Sequence, residues 1–322
     1  MKSIQESVSI IKPESFQLVE KILSHAEFNA YLQAIRAVRK TTFRVNTIKS
    51  DKVTVVKILR ESGISVSDFP LIENAFIVNN ATDNQIMKNE CFTKGYIYLQ
   101  SLSSQIPPVI LEPKPGDYIL DLAAAPGSKT TQMAALMKNT GTIDAVEPDF
   151  IRKERLEYNI NQQEAAIVSV FQARGEKFLL DVENKYDKIL LDAPCSGEGR
   201  FNINDKSSYF AYRLTEIPKF NRLQVKLLTS ALKAVKPGGT VVYSTCTLNT
   251  MENEQVLHEV CNQFQCEIVP LPKGYKELNE ITQCKSSVDG VSMRKDIHNA
   301  IKIVPSQRIE GFFVSKIVKK SV

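Results

Sequence analysis

Histidine is scarce, with three in 322 residues. His25, His258 and His298 stand in no recognisable motif, which sets aside a cysteine hydrolase, whose thiol would need a histidine base. Long apolar runs are missing too. No stretch approaches the roughly 20 residues that cross a bilayer, and the opening Met1-Lys-Ser-Ile-Gln-Glu6 lacks the apolar heart of a secretion signal. A cytoplasmic protein with no membrane partner is expected. The six cysteines, at 91, 195, 246, 261, 266 and 284, form no C-x-x-C pair and no dense framework. A chain of this length needs no disulfide staples, so they are expected to be reduced. His258, Cys261 and Cys266 lie close in sequence, but no fourth ligand accompanies them and no metal is expected. Internal repeats and low-complexity tracts are absent as well.

What is present fits a globular protein with a sizeable core: 43% of residues are hydrophobic and 24% charged. The length exceeds one ordinary domain, and two are expected. The net charge of +5 is mildly basic and does not by itself identify a polyanionic partner. Local clustering says more. Arg36, Arg39 and Lys40 fall on one expected helical face and Arg44 follows, a grouping that suits phosphates or, alternatively, a solvated helix face.

Residues 1–95 mix patterns. Phe16 to Val38 carries apolar residues at helical spacing, Phe43-Arg-Val-Asn-Thr-Ile48 alternates, Val53 to Leu59 is helical again, and Phe76-Ile-Val78 reads as a strand. This predicts a small α+β domain ending in a turn-rich stretch between Asn79 and Gly95. Residues 96–322 form the second expected domain. Strand and helix patterns alternate there: strands at Tyr118–Leu122, Thr142–Val146, Ile167–Phe171, Lys188–Leu191 and Thr240–Tyr243, with helices at Ser128–Lys138, Asp149–Gln162, Asn221–Val235 and Glu252–Phe264. Such alternation predicts an α/β fold with a mostly parallel sheet covered on both faces. Two late apolar runs, Ala300–Val304 and Gly311–Val318, predict an antiparallel closing hairpin.

Two thiols stand out in this frame. Cys195 in Asp192-Ala-Pro-Cys-Ser-Gly197 and Cys246 in Tyr243-Ser-Thr-Cys-Thr247 each follow a short apolar run, so each should project from a strand end, where open parallel sheets bind their ligands. A nucleophile with a partner is one reading, and a buried cysteine acting as a small hydrophobe the other. The first strand of the alternation runs into Ala123-Ala124-Ala125-Pro126-Gly127-Ser128-Lys129 before a helix starts. Small residues allow close backbone approach, Gly127 permits a tight turn, and the helix start offers unpaired N–H groups. This turn is neither G-x-G-x-x-G nor G-x-x-x-x-G-K-[ST], which weighs against dinucleotides and nucleoside triphosphates. Glu147 closes the second strand, where a carboxylate can accept two hydrogen bonds from a ribose diol or serve as a surface charge near a helix start.

Together these motifs resemble those of the Sun-type (NOL1/Nop2p/Sun) RNA cytosine-5 methyltransferases, which depend on S-adenosylmethionine. The likeness rests on Asp121-Leu-Ala-Ala-Ala-Pro-Gly-Ser-Lys-Thr130, Leu191-Asp-Ala-Pro-Cys-Ser-Gly-Glu-Gly199, Lys236-Pro-Gly-Gly-Thr-Val-Val-Tyr-Ser-Thr-Cys-Thr247, Glu252-Asn-Glu254 and Glu310-Gly-Phe-Phe313. It extends upstream through Arg44-Val-Asn-Thr-Ile-Lys49 and Gln100-Ser-Leu-Ser-Ser-Gln105, so it covers most of the chain. The resemblance implies a Rossmann-like class I methyltransferase domain over 96–322, preceded by an RNA-positioning domain over 1–95. It also implies a monomer acting on ribosomal or transfer RNA.

By the same resemblance, Ala123 to Lys129 hold the methionine and ribose region of the cofactor, Glu147 takes the ribose hydroxyls, and Asp192 sits between cofactor and base. Arg174 stands where the family usually has an acid facing the adenine, so that role would pass to backbone, to Glu176 or to stacking by the guanidinium. Carbon 5 of cytosine is a poor nucleophile until a thiolate adds at carbon 6. The resemblance assigns that attack to Cys246 and assistance with release to Cys195. DNA cytosine-5 methyltransferases use the Pro-Cys cysteine instead, which would favour Cys195. The substitution at Arg174 keeps a second function in view, a weakly catalytic or non-catalytic RNA-binding or assembly factor on the same fold.

Overall fold

The computed structural model describes residues 13–272 and 274–321. The opening residues, read above for a leader, lie outside the described residues. The described residues divide into two compact units, one drawn from 40–192, 230–242 and 319–321, the other from 13–39, 193–229 and 243–318.

The first of these contains two sheets. Strands β1 (Thr42–Val45), β2 (Val66–Asp68), β3 (Ala75–Val78) and β4 (Ile97–Leu99) pair in the order β2-β3-β1-β4, and all three pairings are antiparallel. Phe43 opposes Phe76 in the register, and their rings stack with centroids 5.2 Å apart. Val55 and Leu59 of the helix Lys52–Glu61 close this small core with Ile86, Cys91 and Ile97. Each fully buried aliphatic or phenyl side chain there contributes about 1.5–3 kcal/mol.

The second sheet holds β5 (Tyr118–Asp121), β6 (Thr142–Val146), β7 (Val168–Phe171) and β8 (Tyr186–Asp192) in the order β8-β5-β6-β7, all parallel. Strand β9 (Val235–Thr245) lies beside β8. The chain steps from β5 to β6 to β7 in one direction, while β8 lies on the other side of β5. That reversal makes the carboxyl end of β5 a topological switch point, where such sheets bind ligands.

The expected boundary at residue 95 does not coincide with a division between compact units. Gly95 lies so close to the helix Phe150–Gln163 that a Cβ would come within 2.4 Å of the Gln162 carbonyl. Asn46 donates to the carbonyls of Gly95 and Gln163, and buried Arg44 donates to Gln100 and Thr131. These bonds knit residues 40–100 to the parallel sheet, leaving no free linker there.

In the other unit, β9 contributes its last residues, Tyr243–Thr245. Strands β10 (Cys266–Val269), β11 (Ile281–Thr282), β14 (Ile301–Ile303) and β15 (Phe312–Lys319) accompany it, and the short β12 (Ser287–Val288) and β13 (Val291–Ser292) pair separately. The closing hairpin is present: β14 and β15 run antiparallel, with Lys302 opposite Phe313. The helical spacing over Phe16–Val38 belongs to two helices, Pro13–Ile22 and His25–Ala34. Ser24 breaks it with a capping box, accepting from the Glu27 amide at 3.4 Å while its own amide donates to Glu27 at 2.7 Å. Phe16, Val19, Tyr31 and Ile35 from this region form a core with Phe201, Tyr212, Ile217 and Leu248. Among the described residues no helix is long and apolar enough to cross a membrane.

Candidate active site

The turn after β5 is built to be rigid. The Ala124 amide donates to the Val146 carbonyl at 3.0 Å, and Gly127 folds back to the Ala124 carbonyl at 2.8 Å. Arg152 and Asn159 donate to the carbonyls of Ala125 and Pro126. Gly127 caps the helix Ser128–Leu136 at φ +102°, and a Cβ there would meet Leu156 at 2.9 Å. Gly127→Ala is therefore expected to cost about 1–3 kcal/mol, read as a lower denaturant midpoint at unchanged slope.

Asp121 ends β5 fully buried, and burial pushes its carboxyl up to about 6, against the pull of the Thr130 hydroxyl and Lys129. Lys129 pairs with Asp192 at 2.6 Å and donates to Ser104 at 2.8 Å. The last carboxylate of β8 is thus held by the helix that follows β5. Glu147 is almost fully buried; it accepts from the Asp149 amide at 3.0 Å and lies 3.5 Å from Arg152. Arg174 is exposed and occupies the cap position of the short helix Gly175–Phe178, beyond the end of β7. The structure therefore gathers Ala123–Lys129 and Asp192 at the switch point, while Arg174 remains at the surface.

In the other unit the two thiols meet. Cys195 Sγ and Cys246 Sγ are 3.2 Å apart, a hydrogen-bonding separation, and the Cys246 amide donates to Cys195 Sγ at 3.3 Å. Cys195 Sγ thus accepts a backbone hydrogen bond from the turn that carries Cys246. Both thiols are partly accessible, whereas Cys91, Cys261, Cys266 and Cys284 are buried. The small-hydrophobe reading thus suits these four.

The backbone around the thiols is closely packed. The Ala193 amide donates to the Ser244 carbonyl, Gly199 to the Cys246 carbonyl, and Gly311 to the Gly199 carbonyl. A Cβ on Gly199 would come within 2.3 Å of the Gly311 oxygen and 2.8 Å of the Cys246 oxygen. The glycines of the Ser-Gly-Glu-Gly and Glu-Gly-Phe-Phe motifs are thus explained by main chains crossing under Cys246. Asn253 fastens the same turn, accepting from the Thr245 hydroxyl and donating to the Thr247 carbonyl.

The basic cluster does not survive as a helical face. The helix ends at Ala34, so Arg36 and Arg39 lie beyond it. Arg39 spends its guanidinium on the carbonyls of Arg200 and Phe201 and on Glu310, and Arg44 is buried. Apolar residues at helical spacing continue past Ala34, where the helix stops. Arg200 and Lys206 remain exposed. Missed in the sequence were the carboxyls of Glu198 and Glu252, which meet beneath the thiols. Their only signal was membership of the two motif strings.

A parallel sheet with a small-residue turn at its switch point places the chain among α/β proteins whose strand ends bind ligands. Residues 108–318 match the protein family described as 16S rRNA methyltransferase RsmB/F. Over 316 residues the chain is 32% identical to the tRNA (cytosine(49)-C(5))-methyltransferase of Pyrococcus abyssi, covering 98% of each. It is 34% identical over 304 residues to ribosomal RNA small subunit methyltransferase F of Shewanella amazonensis, covering 94% of this chain and 63% of that one. A solved structure of a methyltransferase homolog from Pyrococcus horikoshii superposes with a TM-score of 0.77 at 32% identity, over 96% of this chain and all of that one. The chain belongs to the RsmB/F, or Sun-type, family of RNA cytosine-5 methyltransferases.

Proposed function

We propose that the protein methylates carbon 5 of a cytosine in ribosomal or transfer RNA, with S-adenosylmethionine as donor and Cys246 as the covalent nucleophile. The observation that carries this reading is the contact between two accessible thiols, 3.2 Å apart on adjoining turns. The cofactor suits the residues around the switch point. The Gly127 turn lets backbone approach closely, the start of the helix Ser128–Leu136 offers N–H groups, and Glu147 keeps acceptor capacity for a ribose diol. Ala123 to Lys129 would hold the methionine and ribose region, and Arg174 would lie flat against the adenine rather than accept from its amine. Bound there, S-adenosylmethionine supplies an electrophilic methyl on a positively charged sulfur.

Cys246 forms the sulfur–carbon 6 bond as its proton passes to Cys195, and the electrons of the 5,6 double bond become available at carbon 5. Asp192, held by Lys129, accepts from the exocyclic amine of the base. Cys195, partly exposed, returns its proton to solvent and becomes a thiolate. Once carbon 5 carries the methyl, Cys195 takes the carbon 5 proton, the double bond re-forms, and Cys246 leaves. A target base must leave its stack to admit these groups, which costs least in RNA loops. The β1–β4 module would position that RNA, with exposed cations such as Arg200 and Lys206 on phosphates.

The test is methyl transfer from labelled S-adenosylmethionine to transfer RNA and small-subunit ribosomal RNA from cells lacking the gene. Nuclease digestion is expected to release the label as 5-methylcytidine from one of them. Label in another nucleoside, or in neither RNA, overturns the proposal.

A further inference from the structure

Beneath the thiol-bearing turns, the fully buried carboxyls of Glu198 and Glu252 meet on one hydroxyl. Ser196 Oγ lies 2.7 Å from Glu198 Oε2 and in shorter contact with Glu252 Oε1. The remaining acceptor positions are occupied. Glu198 Oε1 takes the Thr247 hydroxyl and, at 3.0 Å, the Leu248 amide. Glu252 Oε2 takes the Ser196 amide at 3.0 Å and the Gln224 side-chain amide at 2.9 Å. The same Gln224 nitrogen donates to the Pro194 carbonyl at 2.8 Å.

A serine hydroxyl has one proton and cannot donate to two carboxylates at once. One of the two carboxyls must therefore carry a proton and donate it to Ser196. Two like charges sharing a buried hydroxyl reach the same outcome, since both cannot ionise there cheaply.

We infer that Glu198 and Glu252 are positioning residues sharing one proton through Ser196, and that this clasp fixes the Cys195 turn against the Cys246 turn. The inference rests on the reading of the thiol pair as the reactive centre. Ser196 follows Cys195 and Thr247 follows Cys246, so the clasp grips the residue next to each sulfur. Burial, and then the charge of Glu198, pushes Glu252 up to about 7. The phenols facing the pair are neutral: Tyr31, which donates to the Glu198 carbonyl, and Tyr212 are both raised chiefly by burial. Arg39 acts on Tyr31 from beyond. Gln224, Ser196, Thr247 and the Leu248 amide complete the surroundings.

Glu252 in the folded protein thus sits above the ordinary glutamate value of about 4.3. Its contribution to stability is complete below that value and is lost as pH rises through about 7. Glu252→Gln keeps a neutral group of the same shape, its NH2 donating to Ser196 and its carbonyl accepting from the Ser196 amide and Gln224. The Tm of this variant minus that of the wild type is expected to grow by several degrees between pH 5 and pH 8; a difference independent of pH overturns the proton assignment. In methyl transfer, Glu252→Ala is expected to lose at least about tenfold in kcat, and Glu252→Gln to recover most of it. Glu198→Gln removes the like charge beside Glu252, and its NH2 can donate to Ser196 while Ser196 donates to Glu252; the loss of Tm between pH 5 and pH 8 is expected to be smaller in this variant than in the wild type, and an undiminished loss overturns the shared proton. The Tm comparison needs no RNA and no cofactor, so it decides the clasp even if the proposed reaction fails, or if Glu198→Gln does not fold.

Discussion

Cys246→Ala is expected to lose methyl transfer by at least about a thousandfold, because without addition at carbon 6 the ring has no nucleophilic carbon to methylate. Cys195→Ala is expected to fail differently. With solvent in place of Cys195 to take its proton, Cys246 can still add to the base, only more slowly. The step that needs Cys195 outright is removal of the carbon 5 proton, and the adduct therefore accumulates. A denaturing gel of Cys195→Ala with substrate RNA should show a slow-migrating protein–RNA species that survives heating in detergent. The Cys246 amide donates to Cys195 Sγ, which supports the part proposed for Cys195 as proton acceptor. A stable adduct from Cys246→Ala and none from Cys195→Ala would exchange the roles and make the Pro-Cys cysteine the nucleophile.

Much of this was legible in the chain because apolar runs bounded by turn residues fix strands locally. Thr142–Val146 was delimited to the residue, and β5, β7 and the helix Ser128–Leu136 to within two. Strand ends followed, and with them the placement of Asp192, Cys195 and Cys246. What escaped depends on partners far away in sequence. Tyr31 reaches the carbonyl of Glu198 and Asn202 reaches that of Ala37, so the first helices share a core with Phe201, Tyr212, Ile217 and Leu248, far away in the chain. Periodicity describes a helix face but not what covers it. The same limit explains Arg39, whose charge suggested phosphate and whose guanidinium instead satisfies two carbonyls and Glu310. It also explains Glu198 and Glu252, which lie 54 positions apart in the chain and meet only because β8 and β9 are neighbours in their sheet.

The largest loss of stability is expected from Lys302→Ala. Lys302 and Glu254 are both fully buried and pair at 2.7 Å. Lys302 lies on β14, and Glu254 opens the helix Glu254–Cys261 while also accepting from the Lys285 amide at 3.0 Å. Removing the ammonium leaves a carboxylate in a site that water does not reach, at a cost of about 3–5 kcal/mol. Glu254→Leu combined with Lys302→Met removes both charges together and should cost less than Lys302→Ala alone, since no buried charge is left uncompensated. Urea unfolding of the two variants measures this ordering, and a Lys302→Ala midpoint close to the wild type would contradict it. The consequence extends to the thiols, because Glu254 is the third residue of Glu252-Asn-Glu254. Glu252 accepts from Ser196, Asn253 holds the carbonyl of Thr247, and Glu254 ties the helix to β14. Loosening the third anchor should therefore lower kcat even in the fraction that stays folded, whereas a lysine that served stability alone would leave the kcat of folded molecules unchanged.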